Sequence, residues 1–296
     1  MGYIFLLIAL FAGATKGYCG KKTSNYVNEY KDAMLANSVR MALCILIGLG
    51  TVAAGTGGIS ALAVNRTTLL ITLLSGTANA AFLVLWLLAV KKGAYMMLDV
   101  FCMIGILIPI IGCAALFGEQ ISINHIIGFA ILLAAVCIMC SYNNSIKTKI
   151  TFSSLILLLL CGVTNGLCDF SQKLFVKMSA DVPISVFNFY TYAFSAVILI
   201  CCYFFFAHKS ESKEPMNFKP LMIYIPIMSV CLFLYSYFKT LAAGYLPSAQ
   251  LYPLAQSGAL ILSSIMSAVF FGEKLTAKCI AGIAMSFAAL IIINVL

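Results

Sequence analysis

The residues able to do chemistry in this chain are few, and each stands out against apolar neighbours. Lys16 sits in the stretch GATKG (13–17), Arg40 lies inside a second apolar run, and Lys239 follows YSYF (235–238). A cation in such surroundings either extends its stem to reach water or faces a wet cavity, where it attracts an anionic group. Asp169 and Lys173 are four apart, which on a helix predicts a mutual ion pair. Asn79, Asn188, Gln250 and Gln256 are uncharged polar groups within apolar runs and need a neighbouring helix, water or a ligand as partner. Trp86, Tyr190, Tyr192, Tyr235, Tyr237 and Tyr252 are aromatic side chains suited to pocket walls or to a membrane–water interface.

No enzymatic or metal constellation accompanies them. The two histidines, His125 and His208, are far apart in sequence. Cys137 and Cys140 form a CxxC, but a second pair and nearby histidines are missing, so the 12 cysteines read as small apolar packing residues. Neither GxSxG, a nucleotide-binding loop nor HExxH occurs, and no nucleotide-hydrolysing domain is present to power a pump. The expectation is no enzyme, no cofactor and no metal.

The elements that position these groups follow from composition. Of 296 residues, 63% are apolar and 9% charged, against roughly 45–50% and about 25% in soluble domains. So much hydrocarbon implies an all-α integral membrane protein. Ten apolar segments are expected near 2–20, 33–54, 68–90, 94–117, 122–142, 151–172, 182–206, 220–243, 246–271 and 277–296, each long enough to cross about 30 Å. The clearly polar connection is AHKSESKEPMNFKP, 207–220. Met1 to Ala14 reads as part of the first span, since no basic stretch precedes it. The net charge of +9 sits mostly in short links, as topology and anionic head groups require, which argues against nucleic acid.

Two internal matches divide the chain. LFGEQISINHIIGFAILLAAVCI (116–138) aligns with FFGEKLTAKCIAGIAMSFAALII (270–292), and LFAGATKGYC (10–19) aligns with LLCGVTNGLC (159–168). Their offsets, 154 and 149 residues, predict two five-helix repeats, 1–146 and 147–296. Five spans per repeat is odd, so the second repeat enters the membrane from the opposite side. Inverted repeats are widespread in secondary transporters, with the substrate at the repeat interface. The odd-numbered links carry twelve of the eighteen lysines and arginines and the even-numbered four. Both termini therefore lie on one face, outward by the positive-inside rule.

Gly13, Gly17, Gly162 and Gly166 fall at corresponding places in the two halves. They read as broken-helix binding and hinge points or as close helix packing. Pro109 and Pro253 would kink the fourth and ninth segments as gating hinges. The paired GEQIS and GEKLT turns, each followed by an apolar span with a glycine nine or ten residues on, together with YSYFKTLAAGYLPSAQLYP (235–253), resemble the drug/metabolite transporter superfamily and its EamA-type ten-helix branch. The resemblance implies alternating-access transport of small metabolites, driven by H+, Na+ or exchange. Gly118-Glu119 and Gly272-Glu273 are expected to be structural: the glycine ends one helix and the carboxylate, with Thr276 in the second repeat, caps the next.

The expected site is a central cavity between the first, third, sixth, eighth and ninth segments. Lys16 and Lys239 would supply positive charge, Asn79, Asn165 and Gln256 hydrogen bonds, and Trp86, Tyr235, Tyr237 and Tyr252 walls. The excess of buried cations favours an amino acid or organic anion, moved across the cell (plasma or inner) membrane. Export of cationic or aromatic drugs is a rival and would need Asp99 or Asp169 in the cavity. A non-transporting scaffold or lipid-phosphate flippase subunit is another. The expected partners are the lipid bilayer, the small solute and a second copy in a homodimer.

Overall fold

The computed structural model describes residues 1–27, 29–55, 57–91, 95–141, 152–209, 221–271 and 277–295. The α-helices are α1 Gly2–Ser24, α2 Tyr30–Ala54, α3 Arg66–Lys91, α4 Tyr95–Gly105, α5 Leu107–Phe117, α6 Ile123–Ser141, α7 Phe152–Met178, α8 Ile184–Lys209, α9 Leu221–Tyr245, α10 Ser248–Phe271 and α11 Ala277–Val295. Gly58–Leu62 forms a short 3-10 helix, and no strand occurs among the described residues. The all-helical class is as expected. Among the described residues six helices, α1, α2, α3, α7, α8 and α9, are long and apolar enough to cross a membrane. Helix α8 runs to Lys209, into the stretch expected to be a polar link. The rest of that link, Gly272-Glu273 and Thr276 lie outside the described residues.

The bundle is apolar on the outside and carries charge within. Leu46, Leu70, Ile111, Leu116, Ile126, Val197, Phe204, Met222 and Val269 are exposed, whereas Arg40, Asp169, Lys173 and Lys239 are buried. A water-soluble protein distributes these types the other way round. Hydrocarbon around the bundle accounts for the inversion, because apolar side chains lose nothing in lipid while charges need the interior.

The fourth apolar segment is two helices, divided at Ile106. Pro109 explains the place: a proline ring clashes with the carbonyl four residues back, here that of Gly105, where α4 stops. By contrast α1 and α7 run unbroken through Gly13, Gly17, Gly162 and Gly166, so the interrupted-helix expectation is not met. Close packing is what the second pair supports. A Cβ on Gly166 would collide with the Gly105 carbonyl, and one on Gly162 with that of Phe101, so α7 lies backbone to backbone on α4. Gly118 has φ +66°, ends α5 in the left-handed region, and donates its N–H to the Ala114 carbonyl.

Helix neighbours come in corresponding sets. α1 packs on α9 and α7 on α3; α2 packs on α8 and α6 on α11; α10 packs on α1, and α4 with α5 on α7.

Candidate functional site

The polar interior is built from side chains placed at helical spacing. On α7, Asn165, Cys168, Asp169 and Gln172 are at i, i+3, i+4 and i+7, hence on one face. On α3, Ser75, Asn79, Phe82 and Trp86 form a similar stripe. Helix α9 adds Tyr235, Ser236 and Lys239. Two abutting cavities of about 80 and 40 Å³ lie between these faces, sharing Lys16, Phe82, Asn165 and Tyr235 as walls. The larger is completed by Gly13, Gly17, Trp86, Leu98, Cys102, Gln256 and Ser263, the smaller by Ser75, Asn79, Cys168, Asp169, Gln172 and Thr191. Together they make one hollow with room for several waters, each needing on the order of 10–15 Å³.

The charges at the hollow are held in a fixed order. Lys239 Nζ donates to Asp169 Oδ1 at 2.6 Å and to the Tyr235 hydroxyl at 3.0 Å. Tyr252 OH donates to the Asp169 backbone carbonyl at 2.7 Å, fastening α10 to α7. Lys16 Nζ stands 4.3 Å from the centre of the Tyr235 ring, a cation–π contact that turns it inward. Lys16 therefore borders the hollow instead of snorkelling to the surface. Asn79 Nδ2 donates to Ser195 Oγ at 3.0 Å.

Several polar atoms at this hollow have no protein partner. Asp169 Oδ2, Asn165 Nδ2, Gln172 Oε1 and Thr191 Oγ1 are buried without a hydrogen bond. Buried polar groups are nearly always satisfied. Acceptors and a donor left open on one small cavity are a binding surface for something polar.

The structure thus brings Lys16, Asn79, Trp86, Asn165, Tyr235 and Gln256 together as expected. Lys239 and Tyr252 stand behind the wall and brace Asp169. Tyr237 belongs elsewhere: with Phe233, Phe238, Thr51, Val52 and Ser185 it lines a separate cavity of about 430 Å³ near the end of α2. Asp169 borders the hollow, a place expected of it only under the drug-export reading, and Gln172 joins it although sequence reading gave it no place. Their signal was the polar i, i+4, i+7 stripe from Asn165 through an otherwise apolar helix. The expected Asp169–Lys173 pair is replaced, because α9 offers Lys239 to Asp169 directly.

Lys173 serves a second cluster at one end of the bundle. Its Nζ donates to the carbonyls of Ala243 at 2.9 Å and Leu246 at 2.6 Å and lies 3.4 Å from Glu119 Oε1. Lys177 lies 3.9 Å from the same oxygen. Glu119 Oε2 accepts the Ser248 backbone N–H at 2.8 Å. Glu119 is indeed a helix-capping carboxylate, but the helix is α10, not the next one in sequence. Burial alone would raise its carboxyl; the Ser248 amide and the Lys173 charge outweigh that and hold it below the usual range.

Among the described residues no group of three or more His, Cys, Asp or Glu is placed to hold a metal ion, and the described cysteines are free thiols. Cys140 and Cys279 side chains and that of Asp99 are outside the description.

Residues 152–295 match the EamA-like transporter family. No curated protein matches the chain. A solved crystal structure is similar over 99% of this chain and 96% of its own, with a TM-score of 0.71 and 15% identity, which shows a shared fold.

Proposed function

The chain belongs to the drug/metabolite transporter superfamily, and on that premise we propose that it is a secondary active carrier of a small polar or amphipathic metabolite, an amino acid or organic anion, working by alternating access in the cell membrane. The observation that carries this reading is the hollow whose wall holds Lys16 and four unsatisfied polar atoms inside a bundle with an apolar exterior. A scaffold has no use for such a surface, since open polar groups in a dry interior cost stability.

The reading includes ten spans, with α4 and α5 end to end as the fourth, in two inverted repeats, 1–146 and 147–296. The helix contacts support it. Exchanging α1 with α7, α2 with α8, α3 with α9, α4 and α5 with α10, and α6 with α11 turns each main contact into another that exists. Movement of the repeats about the Pro109 break and Pro253 would open the hollow to each face in turn, with both termini on one side of the membrane. The carrier needs no cofactor; H+, Na+ or exchange drives it, and it works as a single copy or a homodimer in the bilayer.

Asp169 gives the cationic-drug reading one specific support, because its free oxygen borders the hollow. Lys239 already neutralises it, which favours the anion reading. Uptake into liposomes carrying the purified chain separates the two. Labelled amino acids accumulating saturably, with loss in Lys16→Gln, supports the proposal. Uptake of a quaternary ammonium dye alone supports the rival, and flux of neither sinks both.

A further inference from the structure

Arg40 is buried midway along α2 with its guanidinium incompletely satisfied. Its Nη1 lies 3.5 Å from Asn37 Oδ1, while Nε and Nη2 have no hydrogen-bond partner. Among the described residues no carboxylate lies within ion-pair distance of it. Asn37 is itself fixed, donating to the carbonyls of Ala33 at 2.9 Å and Leu83 at 3.4 Å. Arg40 stands one wall thickness behind the hollow: Leu83 lines it, and the adjacent Met41 takes a hydrogen bond from Asn79, which also lines it.

A charge one layer away acts strongly through a low-dielectric wall. Lys239 already balances Asp169, so the buried Arg40 adds positive charge behind the wall of the hollow. The open polar atoms add a second condition. Asp169 Oδ2 and Gln172 Oε1 require a donor from the ligand, and Asn165 Nδ2 requires an acceptor. A simple monocarboxylate lacks the donor, a neutral zwitterion lacks the net charge, and an amine lacks the anion.

We infer that the hollow takes a small dicarboxylate bearing an amino or hydroxyl donor, with Arg40 setting the preference for net negative charge. The inference rests on the carrier reading for transport but not for binding. Arg40 is a specificity-determining residue acting by its field, and Gln172 with Asp169 reads the donor.

Four solutes separate these conditions: L-aspartate, its neutral isostere L-asparagine, L-malate, and succinate, which keeps both carboxylates and lacks the donor. Binding to the purified full chain is read from Trp86, the single tryptophan and part of the hollow's wall. The same solutes are offered to liposomes carrying the protein. Aspartate should bind at least tenfold tighter than asparagine, and malate at least tenfold tighter than succinate. Arg40→Met should bring the first ratio to within threefold, leave the second alone, and leave the melting temperature unchanged or higher. Arg40→Lys should restore the first ratio, whereas Gln172→Leu should reduce only the second. Aspartate binding no tighter than asparagine, or no binding by any of the four, overturns the inference. Flux without charge preference removes it and leaves the carrier standing; preferential binding without flux removes the carrier reading and leaves the site.

Discussion

Lys239 and Asp169, seventy residues apart in sequence, meet at 2.6 Å with both side chains almost wholly buried. The pair joins α9 to α7 and sets the charge beside the hollow. Two ions taken out of water repay their desolvation only when paired, so removing one partner is much worse than removing both.

Accordingly, Asp169→Asn and Lys239→Met should each destabilise the protein by about 3–5 kcal/mol. The double variant, with two neutral side chains, should recover most of the loss. Thermal unfolding of the three variants in detergent reads this directly. A double variant whose loss equals the sum of the two single losses would show that the contact carries no coupling.

Gly166 tests the close packing of α7 on α4. Its missing Cβ leaves space for the Gly105 carbonyl, so Gly166→Ala forces α4 off α7. A loss of about 1–3 kcal/mol is expected, typical of overpacking. Gly244 on α9 makes the control, since a Cβ there meets Val176 at an ordinary 3.6 Å. Gly244→Ala should be neutral or stabilising by up to about 1 kcal/mol through helix propensity. Melting temperatures moving together for the two variants would contradict the packing assignment.

These two contacts also show how far the sequence could be read. Class and element positions follow from hydropathy alone, and Lys16, Asn79, Trp86 and Asn165 were legible because polar groups in an apolar run must face something. Partner choice was not. Helix geometry offers Asp169 a local partner in Lys173, and only the docking of α9 reveals Lys239. Tyr235 and Tyr237 show a second limit. Two residues apart on a helix, they point to nearly opposite sides, so one borders the hollow and the other a separate cavity. Which tyrosine turns inward depends on the rotation of α9, fixed by its contact with Gly13 of α1 and not by any local signal.

Glu119 predicts a pH dependence with a definite sign. Its folded carboxyl titrates below the usual range, so its contribution to stability is complete above the unfolded value of about 4.3. That contribution disappears as pH falls through the folded value. Glu119→Gln should lose about 1–2 kcal/mol at neutral pH, the scale of a charge-assisted hydrogen bond. The difference from wild type should shrink as pH drops below 4. A gap that widens on acidification would reverse the assignment.

Cys168 tests whether the hollow is wet. Its thiol sits on the wall beside Asp169, whereas Cys137 and Cys201 lie on the apolar exterior. Only the thiolate reacts with charged alkylthiosulfonates, and it does not form in hydrocarbon, so a lipid-facing thiol is protected from reaction. A negatively charged reagent should therefore modify Cys168 in preference to Cys137 and Cys201. It should also outpace a positively charged reagent of the same size, because Lys16 and Arg40 attract it. Site-resolved mass spectrometry measures each rate, and a bound solute should slow the reaction at Cys168 alone. Faster reaction with the positive reagent would show that the hollow's field has the opposite sign.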